Sequence, residues 1–540
     1  MNNDATVSRR TILAAGAAVA AGALAGCTNG ASRQSTGSGT IGSGMLPKYI
    51  PFKGATADIP APNPNALDGY LTFPKDRVSI LPEKLGIAKP VTVLAPLSSW
   101  TPPPMGSNPF WQNLNEQLGA TLDITMVPKS DWENRFQASV AGDTLPELAR
   151  VPPVPQLDKV LQAKFCDLTE YLAEDAVKEY PMLANIPSLS WQGAVYGGRI
   201  MGVPMHLLPI QWRMEARLDI VEKLGLSVDF TNAQEFLAFC RSVTDPKANR
   251  WAMISPFPPN FLRQMCGVPN TWQVTDGKFV NEVETEQYKQ WLDLTARMWK
   301  GGLFHPQAFN NPDGPALWLA GQAVLLEVGG AGLTNGMKGF VQRAPGLKAA
   351  PVVPPKFDGG GPAPVYVGSG NNGITAIRKD LPAERVKELL RLMNALAAPF
   401  GTREWLNVQY GKEGVDYNWQ DGVGPVSTER GPREKIVANY LPGAPMVMYS
   451  PEYADTTRAE CGHEAKVGPT ALPYPTAGLY SSKDSSVGAR LTLKMYNASL
   501  DVITGRAPLS KWDAVVKDWR SGGGDAIRAE YEDGYGRQPR

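Results

Sequence analysis

Between Pro90 and Met126 the chain spells out a strand, a helix and a second strand, and no other segment narrows the fold as far. Pro90 to Leu94 is a short apolar strand. Asn108 stands before Pro109, an N-cap followed by proline at the first helical position. The helix carries Phe110, Trp111, Leu114 and Leu118 on one face, and Gly119 ends it. Leu122, Ile124 and Met126 then alternate with polar neighbours, as a half-buried strand does. Strand, helix, strand implies a parallel pair with a right-handed crossover. Ligands of such sheets sit beyond the carboxyl ends of the strands, which puts the loop Ser98-Ser99-Trp100 at a candidate binding edge.

Helices and strands keep alternating downstream. Thr231-Asn232-Ala233-Gln234 reads as a capping box before a face of Phe236, Leu237, Cys240 and Val243. Tyr288, Trp291, Leu292, Thr295, Met298 and Trp299 follow helical spacing until Gly301-Gly302, which assigns both tryptophans to a core face. Pro382 opens a helix striped with Val386, Leu389, Leu390, Met393 and Leu396. Ala323 to Val328 is a compact apolar run with the length of a buried strand. The chain is therefore expected to be α/β.

The first residues read as an export address. Ser8-Arg9-Arg10-Thr11 precedes a small-apolar run, Ile12 to Leu24, too short to span a bilayer. The twin arginines point to the twin-arginine route. Leu24-Ala25-Gly26-Cys27 looks like the lipobox of bacterial lipoproteins, which implies cleavage before Cys27 and acylation of its thiol. From Thr28 to Gly44 the chain is mostly Gly, Ser, Thr and Asn, a flexible tether with an r.m.s. span of about 23 Å. Beyond it, about 500 residues suffice for two lobes with separate cores.

Net charge is +1, which gives no nucleic-acid footprint. Three histidines and the cysteines Cys166, Cys240, Cys266 and Cys461 form no CxxC pair or zinc-like cluster, so neither a metal nor a cofactor is expected. Those four cysteines are read either as buried thiols or as up to two disulfides. The fragment Cys461-Gly462-His463-Glu464 is read as an exposed loop.

Short segments in a fixed order carry a resemblance. Gly142-Asp143-Thr144-Leu145-Pro146-Glu147, Phe165-Cys166-Asp167-Leu168 and Tyr196-Gly197-Gly198-Arg199-Ile200-Met201-Gly202-Val203-Pro204 come first. Arg217-Leu218-Asp219 to Lys223-Leu224-Gly225, Lys300-Gly301-Gly302-Leu303-Phe304 and Leu319-Ala320-Gly321-Gln322-Ala323 follow. Tyr410-Gly411-Lys412-Glu413-Gly414 and Trp512-Asp513 to Tyr535-Gly536-Arg537 close the series. With the lipobox ahead of them, these make the chain resemble extracellular solute-binding protein family 1, in particular its long lipoprotein members serving oligosaccharide importers. The resemblance implies a two-lobed periplasmic-binding-protein-like fold, with a hinge of two or three crossings and a ligand cleft between the lobes. The corresponding division is a signal peptide at 1–26, a tether and proline-rich lead-in at 27–89, first-lobe segments at 90–207 and 330–375, and second-lobe segments at 208–329 and 376–540. Crossings are expected near Pro204–Gln211, Glu327–Gly330 and Gly373–Ile377. The resemblance further implies a monomer that captures a sugar, delivers it to ABC permease subunits and is held on the outer face of the cytoplasmic membrane by acylated Cys27. It implies no catalytic residue. Relatives with a calcium loop carry several carboxylates where Val243 to Trp251 has one, so no calcium site is expected.

Sugar sites pair flat aromatics with polar groups. The candidates off the core stripes are Trp100, His206, Trp212, Trp251, Trp272, Glu327, Asn371, Asn372, Tyr417 and Trp419. For Trp251 and Trp272 surface packing is the alternative, for Asn371 and Asn372 a simple turn. Glu327 is read as a hydroxyl acceptor or a partner for Arg217. Two other functions remain open at this point. The same fold takes peptides and other small solutes in relatives, and an exported glycosidase would need only two suitably spaced carboxyl groups.

Overall fold

The computed structural model describes residues 44–52, 54–81, 83–97, 101–255, 260–310, 313–329 and 332–537. The signal, Cys27, nearly all of the tether, Trp100 and Gly330 fall outside them.

The strand that opens the larger sheet, β1 (Ile87–Leu97), leads to α1 (Pro109–Leu118) and β2 (Ala120–Pro128). The Asn108 side chain accepts from the Trp111 N–H at 3.0 Å, and Gly119 takes the left-handed φ of +64° that lets the helix stop. β1 and β2 pair in parallel from Val91 opposite Leu122 onward. After α2 (Trp132–Ala141), β3 (Leu148–Arg150) adds to the other side of β1, and β4 (Val203–His206) follows.

The chain then crosses into a second body. This begins with β5 (Trp212–Arg217), α3 (Ala233–Val243) and β6 (Trp251–Met253). It continues through α4 (Asn260–Met265), α5 (Glu286–Lys300), β7 (Ala323–Gly329), α6 (Gly332–Arg343) and β8 (Ala349–Val352). The N-cap of α3 is Asn232, one residue later than a Thr231 capping box, and Thr231 bonds Glu235 instead. Returning, the chain forms β9 (Asn371–Ile377), α7 (Ala383–Leu396), α8 (Arg403–Tyr410) and the hairpin β10 (Tyr417–Gln420)–β11 (Gly424–Ser427). The last stretch includes α9 (Ala454–Val467), α10 (Ala489–Ile503) and α11 (Trp512–Trp519).

The two larger sheets are ordered β2-β1-β3-β9-β4 and β8-β5-β7-β6. Each has its own core. Val91, Leu114, Phe136 and Leu148 belong to the first, Phe236, Trp291, Leu325 and Trp512 to the second. Trp299 packs partly buried against the second core.

The membership of the later segments differs from the expected 330–375 and 376–540 division. β8 pairs with β5 in the second sheet, Val352 opposite Met214. α7 lies on the first core because Val386, Leu389, Leu390 and Met393 find their apolar partners there. Arg385 fastens it, with Nη2 at 2.7 Å from Glu147 Oε2. Gly373–Ile377 is consequently part of β9, and the return crossing runs through 353–370.

The expected exposed loop at Cys461–Glu464 is a buried stretch of α9. Arg213 on β5 reverses the expectation: its guanidinium pairs with both Glu460 and Glu464. Glu464 Oε2 also accepts from the Leu67 N–H at 2.8 Å, and Glu460 Oε1 from the Leu333 N–H at 3.1 Å. One knot thus ties the lead-in, the first crossing and α6 to α9. All four cysteines in the described body are free thiols.

Candidate ligand groove

Two adjoining chambers open beside the carboxyl end of the first sheet. They share Tyr410, Ser427 and Pro432. The larger, about 1470 Å³, lies between Thr101, Pro103 and the β11–Glu434 segment on one side and Thr334, Lys338 and Gln342 of α6 on the other. Its floor therefore belongs to the first body and its roof to the second. The smaller, about 470 Å³, is lined by Met205, His206, Trp405, Gln409, Tyr410, Lys435, Asn439, Tyr440 and Tyr449. Aromatic faces, amides and a hydroxyl within one chamber match the apolar faces and hydroxyl rims of a sugar.

The electrostatics of the smaller chamber are one-sided. No carboxylate lines it among the described residues. Lys435 Nζ donates to Gln409 Oε1 at 2.8 Å, and burial lowers its pKa to about 8. Arg150, the last residue of β3, is 7 % exposed and burial alone lowers its pKa to about 10. Its Nη2 donates to the Asn372 carbonyl and lies 3.8 Å from Met205 Sδ, while Nε and Nη1 have no partner. Asn439 Oδ1 is also buried without one.

The sequence candidates divide. His206 lines the smaller chamber, but its ring is turned into the protein, with Nδ1 2.9 Å from Ser190 Oγ, and burial lowers its pKa to about 4. Trp212 opens β5 with 43 % exposure, its ring against Gly329, where an added Cβ would lie 3.2 Å away. Asn372 is exposed and lends Arg150 its carbonyl, whereas Asn371 bonds the Ser190 carbonyl at 3.1 Å.

The others are held elsewhere. Trp251 is buried edge-on to His305, and Trp272 is buried against Trp519 and Tyr531, with an edge on a separate cavity of about 970 Å³. Surface packing understated both, since each joins a tertiary cluster that its loop-like sequence context hides. Tyr417 is buried, with its hydroxyl 3.4 Å from Glu413 Oε2. Trp419 lies under the Arg77 guanidinium at 4.3 Å. Glu327 takes neither expected role. It accepts from the Asn260 and Phe261 N–H groups at 3.0 and 2.9 Å, capping α4, and burial raises its pKa to about 7. Arg217 instead pairs with Asp219 and the Trp318 and Leu319 carbonyls. In the reduced calcium-loop segment, Asp245 caps a 3-10 turn through the Lys247 and Ala248 N–H groups.

Sequence reading missed Arg150, Lys435, Trp405, Tyr410 and Asn439. A signal existed for Arg150, a lone charge ending the apolar strand Leu148-Ala149 at a carboxyl edge. Lys435 sits in an ordinary charged run, Arg433-Glu434-Lys435, which gives none.

No family model matches the chain. It is 21 % identical over 459 residues to the polygalacturonan/rhamnogalacturonan-binding protein YtcQ of Bacillus subtilis, covering 78 % of this chain and 87 % of that one. Lipoprotein LipO of the same bacterium is 21 % identical over 467 residues, covering 81 % and 90 %. Among solved structures, an HMO binding ABC-transporter associated solute binding protein from Bifidobacterium longum infantis superposes with a TM-score of 0.63 at 13 % identity, covering 83 % of this chain and 99 % of that one. The fold is the two-lobed one of periplasmic-binding-protein-like receptors.

Proposed function

We propose that this chain is an extracellular solute-binding protein, the receptor of an ABC importer, and captures an oligosaccharide between its lobes. The observation that carries the reading is the aromatic- and amide-lined groove whose larger chamber has one wall on each lobe. A ligand bridging Thr101 and Ser427 to Lys338 and Gln342 binds the closed arrangement better than an open one, and so shifts the population toward closure. The closed shape is then what a permease distinguishes from the empty one. The names of the relatives support a carbohydrate ligand and, for one of them, a lipoprotein.

The finer parts of the reading rest on the sequence. Export by the twin-arginine route, acylation of Cys27 and a monomer on the outer face of the cytoplasmic membrane would keep the groove within a short leash of its permease. Incorporation of labelled palmitate, lost in Cys27→Ala, tests the anchor. Thermal melting against a panel of oligosaccharides, with peptides as controls, tests the receptor. A true ligand at a hundred times its Kd stabilises by about 2.7 kcal/mol. Stabilisation by peptides alone, or release of cleaved sugar, would overturn the assignment.

A further inference from the structure

Arg150 and Lys435, at the smaller chamber, are unlike the other buried charges of the molecule. Arg213 has Glu460 and Glu464, Arg385 has Glu147, and Arg217 has Asp219. Arg150 is as buried as these and has no carboxylate. An isolated buried guanidinium is costly to keep, and natural structures pair such groups with an anion. Its location says where that anion comes from. Arg150 pairs with Thr375 across β3–β9, and Thr375 with Val203 across β9–β4, so Arg150, Val203 and Met205 share one face of the sheet. Met205 is the wall between the guanidinium and the smaller chamber, and Lys435 lines that same chamber.

Resting on the receptor reading above, we infer that the oligosaccharide is acidic: a chain of hexuronic acids whose carboxylate enters the smaller chamber and is received by Arg150 and Lys435. Trp405, Tyr410 and Tyr440 offer ring faces for the sugar bodies, and the unpaired Asn439 Oδ1 accepts a hydroxyl. Met205 Sδ lies against Nη2, and turning of this flexible side chain opens that edge of the guanidinium to the chamber. The net charge of the whole chain, +1, hides this local excess.

The test is calorimetric titration of the full chain with oligogalacturonates, oligoglucuronates and oligomannuronates, each beside its own methyl ester. The ester keeps the sugar and removes the charge. One acid series should bind about tenfold or more tightly than its ester, and lose that margin as salt rises. In Arg150→Met, and separately in Lys435→Met, acid affinity should fall toward that of the ester while ester affinity stays within about twofold. Two independent variants keep the result readable if one folds poorly. Equal binding of acid and ester, or tightest binding of a neutral glycan, overturns this inference and leaves the receptor reading standing. An acid preference untouched in both variants overturns the assignment to Arg150 and Lys435. Binding of no glycan, acidic or neutral, overturns both readings, as does binding confined to acidic peptides.

Discussion

Two sets of charges sit near the crossings and are built in opposite ways. In the knot on α9, one arginine, Arg213, faces Glu460 and Glu464, with Glu215 buried nearby on β5. Carboxyls outnumber the cation, and burial pushes the Glu215 carboxyl well above its usual range and Glu464 up to about 7. At the groove, Arg150 and Lys435 are cations with no carboxylate. In the knot Arg213 meets its counter-charges within the fold, and Glu464 and Glu460 also take the Leu67 and Leu333 N–H groups, so the knot acts as a clamp. Beside the smaller chamber, Arg150 Nε and Nη1 have no partner within the fold and await one that arrives. Buried charge therefore marks structure in one place and recognition in the other, and what distinguishes them is the inventory of partners.

Truncating the two arginines should separate the regions most sharply. Arg213→Met leaves buried carboxyls without their cation and should cost about 3–5 kcal/mol. Arg150→Met removes a charge that has no counterpart, so the denaturant midpoint should hold or rise. Equal losses in the two variants would break the comparison.

The tryptophans offer a second contrast. Trp272→Ala empties a site packed by Trp519 and Tyr531 and should cost about 3–5 kcal/mol. Trp212→Ala, on an exposed ring, should stay within about 0.5 kcal/mol in stability while weakening glycan binding. A Trp212 variant with unchanged affinity would show that this ring, outside both chambers, makes no ligand contact.

A third contrast concerns pH. Because Glu464 has its folded pKa raised from the unfolded 4.5 to about 7, its contribution is fully present below 4.5 and is lost as pH rises through 7. His206 and His463, lowered by burial to about 4 and about 3, act oppositely, losing stability as pH falls below 6.5. Glu464→Gln should therefore flatten the decline in unfolding free energy between pH 4.5 and 7. A decline as steep as in the parent chain would contradict the assignment.

Much of the fold was legible in the sequence because local signals did not conflict there. Asn108, Pro109 and Gly119 fixed α1, and alternation fixed β2. The lobe membership of β8 and α7 was not legible, since an apolar stripe such as Val386-Leu389-Leu390-Met393 says that a core is needed but not which one. The site was harder still. Trp212 and Asn372 stood out as polar or aromatic groups at crossings, and the structure leaves both exposed. Glu327 and the Cys461–Glu464 stretch misled because their partners, the α4 N-terminus and Arg213, lie far away in sequence. Arg150 and Lys435 acquire meaning only from what is missing beside them, and sequence does not display an absence of neighbours.

Closure of the lobes over a glycan is the central claim, and small-angle X-ray scattering of the full chain with and without the glycan found by calorimetry tests it most directly. The account predicts a radius of gyration that contracts in proportion to the fraction bound. Binding with heat but no contraction would contradict it, and would mean that the groove takes its ligand without joining the two lobes.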